Sequence, residues 1–520
     1  MGVHAHLRRR GEICSGSRIA GFNHHGTGAV RGVLYLPKQH GAELMPAPWV
    51  WIFIPLVAGF LSYLIRRFER VNLLFGMTIA LSLALLAWLR PIGVRYSIGS
   101  VSFELSESLN ILGRKFVIQP EQTQILVFIY LGVAFWLGGA MIARAGRLFT
   151  PAGLTIAGLA TAALAVEPFL YAALLIEVAA ILCVPLLSPP GRSADRGALR
   201  FLIYQTLSVP CILFTGWLLA GAEAIPADSL LVTRAALLLA IGFSLLLAIF
   251  PFHSWMPMVA ESANLYVAAF VFYMFPLVAS LYGLGFLGRY AWLRTSPDVY
   301  TLFLWVGVGM AILGGVGAAL QQHLGRMLAM AMMLEIGLGL TALGLLGFAE
   351  ERQALLNIYF ASLLPRGLGL GVWGLAGEVL ARRASAGEGS DRLHLSHFRG
   401  VGLALPITAG ALVLAQLSFS GFPLTAGFPV RFGLWQGLSA HSQSFALLAL
   451  LASFGVLLAA LRTMTALASG AEQGGWQIGE SRAEGLLLSI GGVALLAAGV
   501  FPQLYMLMVN AANLFANLGQ

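Results

Sequence analysis

The sequence predicts an all-α polytopic membrane protein of about 14 transmembrane helices, built on two inverted five-helix repeats that each contain a broken helix. Composition is the first observation: 58% of the 520 residues are hydrophobic and only 10% are charged, against roughly 25% charged in an average soluble domain. The second is a succession of apolar runs of about 20 residues, the length that crosses a bilayer. The third is a pair of interrupted apolar segments, FPFHSWMP at 250–257 and SFSGFPLTAGFPVR at 418–431. Pro251 and Pro257 break the first, and Gly421, Pro423, Gly427 and Pro429 break the second. Such breaks are tolerated in a membrane only where the freed backbone groups are buried in protein or line a watery cavity.

In chain order, the runs fall near 49–65, 72–89, 124–143, 148–166, 168–188, 200–220, 230–252, 262–286, 299–319, 327–347, 354–379, 402–437, 443–468 and 485–510. The breaks then lie in the seventh and twelfth spans, five apart. An odd displacement inverts one repeat relative to the other, so 148–286 and 299–468 form the two repeats of a single membrane domain over 45–520. A matched pair of broken helices is the best sequence pointer to an ion or substrate site near the midplane. Residues 1–44 are polar and basic, with Arg8–Arg10 and no signal-peptide apolar run, and read either as an unusual N-terminal extension or, the favoured reading, as a start codon placed too early.

A net charge of +9 and a pI near 9.7 do not indicate nucleic-acid binding, because the basic residues are spread over short loops. Loops after odd-numbered spans carry more of them, including Arg66, Arg67, Arg144, Arg147, Arg382, Arg383, Arg392 and Arg399. The positive-inside rule places those loops in the cytoplasm, and hence the mature N-terminus outside, in a bacterial cytoplasmic membrane. Cys14, Cys183 and Cys211 are scattered without a CxxC pair, which gives no support to an iron–sulfur cluster, a metal site or a disulfide framework.

Ionisable groups at membrane depth are functional candidates by default, and here they are Glu177, His253, Glu335, Arg366, Glu378 and Arg431. Glu177 lies mid-span in FLYAALLIEVAAILCVPLL, where desolvation favours proton exchange; the alternative is a carboxylate that only ties two helices together. His253 at the first break could pass protons across the gap or cap the freed carbonyls. Arg431 closes the second break and stays charged, so it can set a field but cannot carry a proton; the alternative is a guanidinium snorkelling to the interface. Arg366 and Glu378 are about three turns apart on one helix, too far to pair directly. With Glu335 they read as parts of a buried polar axis.

FPFHSWMP resembles the PFHxWxPDA stretch of the antiporter-like membrane subunits shared by respiratory complex I, membrane-bound hydrogenases and Mrp-type cation/proton antiporters. GRMLAMAMMLEIG is similar to that family's KRLLAYSSIxxxG, LSFSGFPLTAGFPVRF to its LSLAGxPPxAGFxxKF, and LIEVAAILCVPLL to its LELLSL, which aligns Glu177 with the family glutamate. The resemblance runs from about residue 120 to 470, in order. It implies fourteen helices and a charge-and-water axis coupled to neighbouring membrane subunits, with protons or small cations as the transported species. The partners it implies further include a peripheral redox arm and lipid. It also implies a place in a proton-translocating oxidoreductase without a redox centre or cofactor of the subunit's own. The short tail after the last run resembles the shorter family types.

The departures from the family pattern are chemical. Where the family has lysines, or a histidine, the chain has Leu246, Leu277, Arg366 and Arg431, and Met258 replaces the aspartate. Leucine cannot hold a proton and arginine does not release one, so the sequence predicts an atypical path through Glu177, His253 and Glu335 in a proton-translocating complex, with two alternatives: a structural subunit that keeps the fold and its charges without conducting, or a part of an Mrp-type cation/proton antiporter.

Overall fold

The computed structural model describes residues 43–89, 95–98, 101–111, 113–188, 195–219, 230–384, 390–469 and 479–503, with Ile92 and Leu518. The N-terminal extension and its start-site reading lie outside the described residues. The described chain is a helical membrane bundle: ten helices among the described residues are long and apolar enough to cross a bilayer, and four shorter apolar helices accompany them.

A π-helical turn, Trp49–Phe53, leads into α1 (Ile54–Leu64), which is followed by α2 (Glu69–Leu89), α3 (Thr123–Ala140), α4 (Phe149–Ala165), α5 (Ala172–Leu187) and α6 (Arg196–Leu219). The first interrupted segment becomes α7 (Leu230–Leu246) and α8 (Trp255–Ser262). After it come α9 (Leu265–Arg289), the single turn α10 (Ala291–Arg294), α11 (Pro297–Leu320), α12 (Leu324–Leu345) and α13 (Arg352–Arg383). A further turn, α14 (Val401–Ala404), precedes the second interrupted segment, α15 (Pro406–Ser420) and α16 (Phe428–His441), and then α17 (Gln443–Ala468) and α18 (Arg482–Val500).

Four strands from the polar stretch after α2, with one strand before α1 and one after α4, form two small sheets. In the first, β1 (Glu43–Pro46) runs parallel to β3 (Val101–Ser106), which pairs antiparallel with β2 (Arg95–Ile98). In the second, β5 (Arg114–Val117) lies between β4 (Ser108–Ile111) and β6 (Val166–Glu167), antiparallel to both. Hydropathy carries no signal for these strands, because they form outside the apolar runs.

Three helices make the centre. The most apolar window is 89% buried in α9 and in α12 and 72% buried in α13, against 39% in α17 and α18. A helix apolar on every side must be surrounded by protein or lipid, and α9, which packs on α4, α5, α8, α12 and α13, is surrounded by protein. Peripheral helices turn large side chains such as Trp217, Leu237, Trp305 and Leu451 outward, as lipid-facing surfaces do.

Each break satisfies its own backbone. At the first, the Phe250 amide reaches the Met310 sulfur at 3.2 Å and the Phe252 amide donates to the Ile249 carbonyl at 2.7 Å. Pro257 sits in the first turn of α8, where no intrahelical amide donor is needed. The far end of α8 is anchored by Glu261, which accepts from Arg326 of α12 at 2.6 Å, and by Ser262, which donates to Asp195 at 2.6 Å.

Candidate functional site

The second break builds the site. Helix α15 ends at Gly421, whose φ of +69° is left-handed and suits a residue without Cβ. The amides of Gly421 and Phe422 close the last turn on the Ser418 and Leu417 carbonyls, at 3.1 and 3.0 Å. The Gly427 amide donates to the Ser418 hydroxyl at 3.0 Å, and α16 then carries Arg431 back beneath the end of α15. The guanidinium donates to the Phe419 carbonyl, to Ser453 Oγ of α17 at 3.0 Å, and to Glu335 Oε1. A cation at a helix C-terminus answers both its orphaned carbonyls and its dipole.

Glu335, on α12, is shared. Its Oε2 accepts from Arg366 Nε of α13 at 3.3 Å, and its main-chain carbonyl accepts from Arg366 Nη2 at 3.1 Å. Arg366 follows Pro365, a helix-interior proline that withholds one amide from the α13 ladder. The side chains of Arg366, Arg431 and Glu335 are only 5%, 4% and 13% exposed, so all three charges are inside the protein. Arg431 is therefore not a snorkelling residue. Two guanidiniums against one carboxylate give the cluster a formal charge of +1, with Glu335 hydrogen-bonded from both sides. A small cavity lined by Ser362, Ser418 and Gly427 adjoins the three.

The two other predicted groups stand apart. Glu177, half-buried on α5, accepts from Thr206 Oγ1 of α6 at 2.5 Å, and its Oε2 has no partner among the described residues. His253 lies in the short turn Phe252–Ser254, its ring stacked on Phe250 at 5.6 Å, with Nδ1 unpartnered among the described residues. Ser254 beside it accepts from Arg200 at 3.2 Å. Neither Glu177 nor His253 shares a hydrogen bond or an ion pair with the Glu335 cluster. Leu246 and Leu277 are buried among apolar side chains.

Glu378 belongs to a different construction. Arg392, from the short turn Ser390–Leu393, holds it with two bonds of 2.8 and 2.9 Å, and the Leu265 amide at the start of α9 also donates to it. Arg392 further reaches the Ala263 carbonyl at 2.8 Å, so the pair pins the α8–α9 corner to α13. Sequence reasoning passed over Ser453, Ser418 and Thr206, since a hydroxyl within an apolar run looks like any small helix-packing residue. Tyr359 was passed over in the same way; it shares a hydrogen bond with Ser280 and lies near Arg366. Among the described residues no group of three or more His, Cys, Asp and Glu side chains is placed to hold a metal ion.

Residues 202–458 match the family model described as NADH:quinone oxidoreductase/Mrp antiporter, transmembrane. The chain is 26% identical over 338 residues to NADH-quinone oxidoreductase subunit N of Geotalea uraniireducens, covering 62% of this chain and 68% of that protein. Against the subunit N of Mycobacterium tuberculosis it spans about half of the relative, 50%, at 24% identity. Among solved structures, a chain of the Mrp complex from Dietzia sp. superposes with a TM-score of 0.74 at 17% identity, over 91% of this chain and 97% of that one. A chain of respiratory complex I from Thermus thermophilus gives 0.70 at 20%, over 91% and 99%. These two likenesses speak to the fold.

Proposed function

We propose that this chain, a divergent member of the antiporter-like family of proton-translocating membrane subunits, serves a multisubunit complex of the NADH:quinone oxidoreductase kind through an atypical proton path. In this reading Glu177 and His253 exchange protons in the first half, and Arg366–Glu335–Arg431 is a fixed charge centre in the second. The single observation that carries it is the triad itself. A lysine in its place could alternate between charged and neutral forms, whereas the two buried arginines keep their protons and stay charged. A constant positive centre biases the protonation of acids elsewhere in the bundle without passing a proton on.

The reading includes fourteen spans, with the paired segments α7–α8 and α15–α16 each counted as one, and two inverted five-helix units. The packing supports this. α4 packs on α5, α5 on α6, α6 on α7 and α8, and both α4 and α7 on α9. Five spans on, α11 packs on α12, α12 on α13, α13 on α15 and α16, and both α11 and α15 on α17. Other membrane subunits, a peripheral redox arm, a bacterial inner membrane and an external N-terminus complete the proposal.

The buried Leu246 and Leu277 favour a second reading, a non-conducting subunit that transmits strain and seals the membrane. One experiment separates the two. The complex carrying Glu177→Gln is purified with its partners and reconstituted in vesicles containing a pH-sensitive dye. The conducting reading expects normal subunit stoichiometry with proton uptake lost; full uptake per assembled complex removes Glu177 from the path.

A further inference from the structure

An apolar cavity lies between the two halves of the charge pattern. It encloses about 180 Å³, below the ~300–1,000 Å³ typical of drug-sized ligand sites, so its occupant is slender. Its walls are α7, α9, α11, α12 and α13, and nearly all of the lining is apolar, with Leu239, Phe243, Leu284 and Phe303 representative. Its polar groups include Ser280, Tyr359 and Arg366. Arg366 also borders the small cavity of the triad, so one guanidinium faces both spaces.

The cavity opens sideways. α7 packs on α6 and α9, and α11 packs on α12 and α17; α7 and α11 do not pack closely on each other. Leu302 of the lining is itself exposed, and Leu237 and Ile241 on the neighbouring face of α7 point outward. A lateral gap between two lipid-facing helices admits an amphiphile from the bilayer more readily than a solute from water. The lined part of α7 runs from Ala236 to Ile249 just beyond its end, about 20 Å at 1.5 Å per residue, long enough to lie along an extended alkyl chain.

The charge of the site sets the headgroup. Arg366 spends Nε and Nη2 on Glu335, and its Nη1 has no hydrogen-bond partner among the described residues. The +1 of the triad is left without a counter-charge beside it, a state that a buried site resists. We infer that the cavity binds a long-chain carboxylate taken from the membrane, its carboxylate on Arg366 and its chain along α7 towards the gap with α11. A carboxylate accepts a charge-assisted bond from a guanidinium, and hydroxyls such as that of Tyr359 add donors. Bound there, it neutralises the centre that the proposed function treats as fixed. The occupancy itself does not depend on whether the subunit conducts.

The test uses the intact complex in detergent with a palmitic acid analogue that carries a diazirine in mid-chain, photolysed and mapped by peptide mass spectrometry. Labelling is expected on residues 236–249 and 299–306, displaced by oleate at concentrations where oleyl alcohol and phosphatidylcholine do not compete. The cavity-filling variant Ala240→Phe is expected to lower that labelling at least tenfold while the complex still elutes as a single species. Labelling of other helices, equal displacement by oleyl alcohol or phosphatidylcholine, or undiminished labelling of Ala240→Phe would each overturn the inference.

Discussion

Replacing Glu335 with glutamine keeps the shape of the triad and removes its only negative charge. At the 3.3 Å separation of the Arg366 pair, an effective dielectric of about 20 gives roughly 5 kcal/mol of attraction. Breaking a buried pair from one side costs about 3–5 kcal/mol, because the remaining charge stays unsolvated. Glu335→Gln strands two guanidiniums at once, and since they share one carboxylate the loss is at least that of one pair but less than twice it. Arg431→Gln is the informative contrast. It leaves a neutral Arg366–Glu335 pair and forfeits donors to Phe419 O and Ser453, a loss of about 1–3 kcal/mol. The carboxylate variant is therefore expected to be the worse by about 2 kcal/mol or more, read as the fall in thermal midpoint of the purified protein in one detergent. The double variant should be milder than the sum of the two singles. An Arg431→Gln variant as unstable as Glu335→Gln, or a Glu335→Gln variant within about 1 kcal/mol of the parent, would refute the reasoning, because the carboxylate would then not be the element that holds two buried cations.

Other consequences are accessible to simpler assays. A Cβ on Gly427 would lie 2.0 Å from the Ser418 carbonyl, so Gly427→Ala must shift the second break and should cost about 1–3 kcal/mol; an unchanged thermal midpoint would mean that the break is looser than described. At Gly421 a Cβ would meet Arg431 Cδ at 2.2 Å and sit at φ +69°. Gly421→Ala should therefore cost about 1–2 kcal/mol from backbone strain alone, measured in the same way. Glu378→Gln removes the carboxylate that holds Arg392 and should make cleavage after Arg392 by trypsin several-fold faster, with cleavage at the parental rate as the contrary result. Thr206→Val deletes the one donor to Glu177 among the described residues and should lower the rate of proton uptake by the reconstituted complex without altering its assembly; an unchanged rate would separate that hydroxyl from proton transfer.

Much of the architecture was legible because a bilayer allows few solutions. Apolar length marks a span and a proline–glycine cluster marks a break, and the segments read near 230–252 and 402–437 are the ones that open into α7–α8 and α15–α16. Glu335, Arg366 and Arg431 were identified for the same reason, since charge in an apolar run is conspicuous. Their pairing was not legible. Glu335 and Arg431 are 96 residues apart, and any of several acids could have faced either arginine until the helices packed. Glu378 illustrates the limit, since its partner Arg392 lies in a short loop turn that hydropathy reads only as a polar connection. The strands between α2 and α3 were missed because short pairings outside the membrane leave no mark in an apolar-run reading.

By itself, the sequence determined that this chain is a helical membrane protein with two interrupted helices, and that leucine and arginine stand where the antiporter-like subunits it resembles are expected to carry lysines. Those properties are local, set by side-chain hydrophobicity, by proline and glycine geometry, and by the chemistry of single residues. The tertiary structure alone decided that one glutamate neutralises only one of two buried arginines, that Glu177 and His253 lie outside that cluster, and that an apolar cavity reaches Arg366 from the side. Each of these depends on which faces of helices distant in sequence meet, and a one-dimensional pattern of apolar residues does not encode that.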